Sequence, residues 1–138
     1  MFIDASAIVA ILAREPGSEA LLERILKIGG GFYVSPLVRL EVVLALSREK
    51  RAAADNPSGA IKQAEAIYEQ FVNRIGAEEI KVTTDLGRAA VSASAAFGKA
   101  AGHPARLNFG DCFAYACARS LGVGLVYKGD DFAKTDLA

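Results

Sequence analysis

Five carboxylates stand where a purely structural role is hard to satisfy. Asp4 closes a short apolar start, Met1 to Ile3, and precedes a run of Ala, Ile and Val. That places it at the carboxyl end of a first strand, where open α/β sheets bind ligands. Capping the next helix is the other use of an Asp there. Glu41 has Leu37 four residues before it and Leu44 three after, so its carboxylate shares a helix face with apolar side chains. An ionised carboxylate on such a face is costly unless paired, and Arg39 or Arg48 are the nearby cations that could pair it. Asp111 opens a helix after Asn108-Phe109-Gly110, a position the helix dipole favours for any acid. Asp130 and Asp131 follow the last apolar run, Leu125 to Tyr127, at another strand end, although two adjacent acids in a loop are ordinarily just solvated.

Each position has an ordinary explanation, but the set does not. A strand end, an apolar helix face, a helix start and a second strand end are places that a parallel sheet can bring to one edge. Carboxylates gathered there repel one another, which raises their pKa values or calls for a cation. A hard divalent ion, Mg²⁺ or Mn²⁺, suits a site of few carboxylates completed by waters and phosphate oxygens. Such ions activate water and neutralise charge in phosphoester cleavage, the chemistry of metal-dependent nucleases.

The elements that must position these acids follow from hydrophobic periodicity. The spacing predicts a strand at Met1 to Ile3, a helix carrying Ala7, Ile8, Ile11 and Leu12, and a second helix from Leu21 to Ile28 stopped by Gly29-Gly30-Gly31. Phe32 to Val34 is a strand, and Ser35-Pro36 starts a helix reaching Arg51. Ala52 to Gly59 reads as a surface loop and Ala60 to Arg74 as a helix. Ile80 to Thr83 is a brief strand, Asp85 opens a helix to Phe97 or Gly98, and Gly102-His103-Pro104 is a loop. A helix from Phe109 to Leu121 and a strand at Leu125 to Tyr127 complete the chain. Short apolar strands alternating with helices predict an α/β fold, a mainly parallel sheet with helices on both faces, in one domain spanning 1–138.

Composition narrows the function classes. The chain has 138 residues, 52% hydrophobic and 23% charged, which suits one folded domain rather than a disordered segment. Sixteen Lys and Arg balance sixteen Asp and Glu, so no global positive field draws in nucleic acid, and any such contact must be local. No charged leader precedes a long apolar run and no stretch near the start could cross a bilayer, so a cytoplasmic protein without a membrane anchor is expected. Cys112 and Cys117 lie five apart in an apolar stretch and read as reduced core thiols on different helix faces. His103 is the only histidine, too few for a zinc site. The glycine triplet lacks the Gly-Lys-Ser/Thr of a phosphate loop, and the four tyrosines are scattered rather than interleaved with a basic stripe.

In order and spacing, Phe2-Ile3-Asp4-Ala5-Ser6-Ala7, Ser35 to Val42 with its embedded Glu41, Leu107 to Ala116 around Asp111, and Leu125 to Phe132 followed by Thr135-Asp136 resemble a PIN domain, specifically a VapC-type toxin ribonuclease. The resemblance covers the whole chain. It implies a three-layer α/β/α sandwich and an acidic, Mg²⁺-binding site at Asp4, Glu41 and Asp111, with Ser6 as a supporting hydroxyl and Asn108 orienting the segment before Asp111. The fourth acid of many such domains falls at position 129, which is Gly here, so Asp130 and Asp131 compete for that role and Asp130 is preferred. The family further implies metal-assisted hydrolysis of RNA, a homodimer and a VapB-type antitoxin that covers the site. Lys128 and Arg106 are candidate contacts to RNA phosphates, although solvated loop charges are equally expected there. Two other classes remain open: a PIN-like binding module that has lost its metal, and a phosphatase using Asp4 as nucleophile. The latter lacks the usual Asp-x-Asp pair, because position 6 is Ser.

Overall fold

A computed structural model describes residues 1–51 and 57–137. Its centre is built from the chain's most apolar short runs. Strand β1 (Phe2–Ile3) lies between β2 (Tyr33–Val34) and β4 (Leu125–Val126), and β3 (Glu78–Glu79) flanks β2 at the edge. All three pairings are parallel, with Phe2 opposite both Tyr33 and Leu125, Ile3 opposite Val126, and Tyr33 and Val34 opposite Glu78 and Glu79. Neighbouring strand residues point to opposite faces, yet Phe2 and Ile3 are both fully buried. Both faces of the sheet centre are therefore covered, as a parallel sheet requires.

The covering elements are α1 (Ala5–Leu12), α2 (Ser18–Ile28), α3 (Pro36–Arg51), α4 (Pro57–Ile75), α5 (Thr84–Phe97) and α6 (Phe109–Leu121), with short 3₁₀ turns at Lys99–Ala101 and Phe132–Lys134. Helix α2 ends where Gly29 takes φ 76°, a left-handed conformation that donates its N–H back to the Ile25 carbonyl. Val38, Val42 and Leu46 bury one stripe of α3 against the core. On another side of α3, Arg39 places Nη1 2.8 Å from Glu69 Oε1 and 3.8 Å from Glu65 Oε1, with Nε 2.8 Å from Glu79 Oε2. Its guanidinium also lies 5.1 Å from the Tyr68 ring centre. One side chain thus ties α3 to α4 and to the edge strand.

Two expectations about the elements are corrected. The third strand is Glu78–Glu79, not Ile80 to Thr83. Backbone pairing decides this, because Glu78 N–H donates to the Phe32 carbonyl and Ile80 N–H to the Val34 carbonyl, while Thr83 is already the cap of α5, accepting from Leu86 N–H at 3.3 Å. An exposed edge strand needs no apolar side chains, so periodicity misses it. Helix α4 begins at Pro57, so residues 57–59 of the expected surface loop are helical, with Pro at the first helical position. The remainder of that loop, Ala52 to Asn56, lies outside the described residues. Cys112 and Cys117 are free and buried.

The strand order β3-β2-β1-β4 carries the functional consequence. The chain builds outward from β1 through β2 to β3, then crosses back to add β4 on the other side of β1. The sheet thus grows to one side of β1 and then to the other, and this reversal of strand order opens a crevice beyond the carboxyl ends of β1 and β4. Asp4 follows β1 and the 128–131 loop follows β4.

Candidate active site

A groove of about 470 Å³ occupies that crevice, and its walls include Asp4, Glu41, Asp111 and Asp131. Each acid arrives on a different element, which is why no local sequence window reveals the cluster. Asp4 caps α1 while lining the groove. Its Oδ2 accepts from the Ser6 N–H at 2.9 Å and from Ser6 Oγ at 2.5 Å. Ser6 Oγ in turn accepts the Lys128 N–H at 3.0 Å, so one hydroxyl joins the end of β4 to the carboxylate that follows β1. The capping and site readings of Asp4 are both satisfied by the same side chain.

Asp111 is held by reciprocal bonds at the start of α6. Asn108 Oδ1 accepts from Asp111 N–H at 3.1 Å, and Asp111 Oδ2 accepts from Asn108 N–H at 2.7 Å. This capping box fixes the carboxylate at the groove wall through Oδ2. Glu41 is half-buried on α3. Arg39, offered by the sequence as its partner, is engaged with three other glutamates, and no ion pair reaches Glu41 among the described residues. Between Glu41 and Asp111 sits Gly110, where a Cβ would lie 2.0 Å from Glu41 Oε1. Only a residue without a side chain lets α6 come this close to the carboxylate of α3.

Burial and mutual repulsion hold these acids toward protonation. Burial raises the Asp4 carboxyl, opposed by its bonds to Ser6 and aided by the charge of Asp131. Burial, then Asp4 and Asp111, push Glu41 up to about 7. Asp111 is pushed up to about 6 by burial, with Asp4 and Asp131 adding to it and the Asn108 N–H opposing it. Carboxylates that are costly to ionise together, in a groove whose one lining cation among the described residues, Lys128, is paired with Glu15, form a donor set suited to a hard divalent ion. Among the described residues, no three His, Cys, Asp or Glu side chains already converge on one point as a finished cage. The acids stand around the groove rather than closed upon its centre.

The sequence-predicted residues divide clearly in space. Asp4, Ser6, Glu41, Asn108, Asp111, Lys128 and Asp131 all line the groove. Asp130 and Asp131 are both exposed, and Asp131 is the member of the pair that lines it and whose charge acts on Asp4 and Asp111. Arg106 is exposed in the loop before α6, with φ 53°, and does not line it. His103 is engaged locally, its Nδ1 accepting from the Ala105 N–H at 3.1 Å. Sequence reasoning passed over two contributors. Glu15 lines the groove and forms an ion pair with Lys128 Nζ, and its place in the Arg14-Glu15-Pro16-Gly17 turn carries no chemical signal. Gly110 offered one faint signal, a glycine inside the first turn of a helix, where it lowers helix propensity without evident need.

With four acids, a helix-capping Asn and a switch-point groove in place, comparison with known proteins decides the lineage. The PIN domain family model matches residues 1–137. The chain belongs to the PIN-domain family. It is 46% identical over 140 residues to VapC ribonuclease R02377 of Rhizobium meliloti (strain 1021), covering 99% of this chain and 98% of that protein. Ribonuclease VapC30 of Mycobacterium tuberculosis is 33% identical over 138 residues, covering 100% of this chain and 96% of that one. Ribonuclease VapC42 of the same species is 31% identical over 137 residues, with 99% and 96% covered. The three-layer α/β/α arrangement expected of a PIN domain is the one described above.

Proposed function

We propose that this PIN domain is a metal-dependent endoribonuclease of the VapC type, the toxin of a toxin–antitoxin pair. The observation that carries the reading is the meeting of Asp4, Glu41, Asp111 and Asp131, from four separate elements, in one groove at the sheet's switch point. Near-full-length likeness to proteins named VapC ribonucleases supports the same activity. Asp4, Glu41 and Asp111 are the residues that would hold Mg²⁺, with Mn²⁺ able to substitute. Asp131 takes the fourth position that the sequence reading gave to Asp130, because it lines the groove. The bound ion supplies charge neutralisation at the scissile phosphate and activation of the hydrolytic water.

The chain's own residues prepare this. Ser6 holds one oxygen of Asp4 and Asn108 one oxygen of Asp111, which fixes both carboxylates at the groove wall. Gly110 admits the Glu41 carboxylate beside Asp111. Lys128 is the one cation among the described lining residues, and it waits on Glu15 as a contact for an RNA phosphate. No side chain here needs to act as a covalent nucleophile. Among the described residues no helix is long and apolar enough to cross a membrane. A cytoplasmic homodimer restrained by a VapB-type antitoxin lying across the groove completes the proposal.

The deciding experiment is cleavage of total bacterial RNA by the purified chain with Mg²⁺ or Mn²⁺ against chelator, with Asp111→Asn as control. Cuts at a few discrete sites that need the ion and vanish in the variant are expected. No cutting together with no carboxylate-dependent ion binding overturns the reading and leaves an inactive binding module.

A further inference from the structure

Lys128 is the one cation among the described residues lining the acidic groove, and it is rooted beside the carboxylates it could neutralise. Its backbone N–H donates to Ser6 Oγ at 3.0 Å, and the same hydroxyl donates to Asp4 Oδ2 at 2.5 Å, so only two hydrogen bonds separate its main chain from Asp4. A flexible four-carbon stem gives the ammonium the reach to settle on Asp4 or Asp131. It settles elsewhere. Nζ pairs with Glu15, an acid of the turn between α1 and α2. After burial, the charges that raise Asp4, Glu41 and Asp111 are those of one another and of Asp131, with no easing by Lys128. Glu15 is itself held in place, because its N–H donates to the Ala10 carbonyl at 2.9 Å, its carbonyl accepts from the Ser18 N–H at 3.0 Å, and Pro16 fixes the next φ. A pair whose side chains are 33% and 39% exposed adds little to stability, and its consequence lies in the groove instead.

We propose that Glu15 is a positioning residue that keeps the Lys128 ammonium off the groove's other carboxylates and so leaves them open to the divalent ion. The role rests on the metal-dependent ribonuclease reading and deepens it. An ammonium on so short a tether is present at an effective concentration on the order of millimolar, enough to rival Mg²⁺ of similar concentration for the same acids. Were it to occupy them about nine-tenths of the time, the ion would bind about 10-fold more weakly. Glu15 removes that competition by offering an anion that no other cation among the described residues pairs with. Once an ion has neutralised the acids, the groove no longer draws the ammonium, and its pair with Glu15 is weak enough to yield it to a phosphate.

Calorimetry with Mg²⁺ alone, on the full chain and without RNA, tests the role. Glu15→Gln should bind the ion about 10-fold more weakly than the parent. Lys128→Gln, which removes the competitor, should bind it at least as tightly as the parent, and Glu15→Gln combined with Lys128→Gln should recover the parent affinity. That recovery also shows that Glu15→Gln does not act by damaging the fold. Glu15→Gln combined with Arg14→Gln restores the net charge but leaves the lysine free, so it should stay weak. Parent affinity in Glu15→Gln overturns the proposal. Weak binding that persists in the Glu15→Gln, Lys128→Gln double variant makes Glu15 a ligand of the ion and overturns it, and equal recovery through Arg14→Gln reduces the effect to net charge and overturns it as well. Absence of ion-dependent RNA cutting by the unaltered chain, with the expected calorimetric pattern intact, retains the positioning role and overturns only the ribonuclease reading. Absence of carboxylate-dependent ion binding by the unaltered chain overturns both.

Discussion

Glu41→Gln should make the ion-free protein more stable near pH 8 while removing its response to Mg²⁺. Glu41 is held on a half-buried helix face, without an ion pair, among Asp4 and Asp111, and its carboxyl rises from 4.5 to about 7. A carboxyl raised on folding gives its full stability below pH 4.5, where both states are protonated. That contribution is lost as pH climbs through 7, because ionisation then costs more in the folded chain than in the unfolded one. At about 1.36 kcal/mol per pH unit the loss approaches ~3 kcal/mol, and solvent screening in an open groove reduces it to about 1–2 kcal/mol. Gln keeps the shape and never ionises. Thermal unfolding with chelator should therefore place Glu41→Gln about 3–8 °C above the parent at pH 8, with the two converging near pH 5. Mg²⁺ at about 100 times its Kd should stabilise the parent by about 2.7 kcal/mol and the variant much less. Equal melting temperatures at pH 8, a difference that ignores pH, or equal Mg²⁺ stabilisation of both proteins would refute the reasoning.

Gly110→Ala places a methyl 2.0 Å from Glu41 Oε1, so the carboxylate must swing away. Because the group that yields is the end of a flexible side chain and Ala favours the helix, stability should change by no more than about 1 kcal/mol while Mg²⁺ affinity, read by calorimetry, falls; an unchanged affinity would show that Glu41 does not bind the ion. Ser6→Ala removes both the bond to Asp4 and the acceptor for the Lys128 N–H, and denaturant unfolding should record about 1–2 kcal/mol of destabilisation. Asp131→Asn should blunt the Mg²⁺-induced rise in melting temperature, whereas Asp130→Asn should leave it intact, since only the former lines the groove. The reverse pattern would return the fourth acid to Asp130.

What the sequence reveals and what it hides separate along physical lines. Asp4 is legible because two fully buried apolar residues stop abruptly at a carboxylate, and Glu41 because Leu37 and Leu44 flank it on its helix. The choice between Asp130 and Asp131 is not legible. Adjacent loop residues are alike in type and both are exposed, and only the placement of the loop after β4 brings one of them to the groove wall. Likewise β3 is invisible to periodicity because two exposed glutamates pair through their backbone alone. Glu15 hides for a third reason: its partner Lys128 lies on the far side of the sequence, brought near only by the β1–β4 pairing. The sequence also offers Arg39 for Glu41, and the fold spends that guanidinium on α4 and the edge strand instead.

The same pairing has a meaning for synthesis. The strand at the middle of the sheet precedes the other three in sequence, and the neighbour on its open side is the last of the four. Until Leu125 and Val126 leave the ribosome, β1 has one partner, Ser6 has no Lys128 amide to accept, and Asp131 does not yet exist in the chain. A nascent polypeptide therefore carries three of the four acids without the crevice that assembles them. On the ribonuclease reading proposed above, cutting of RNA has to wait until that crevice has formed.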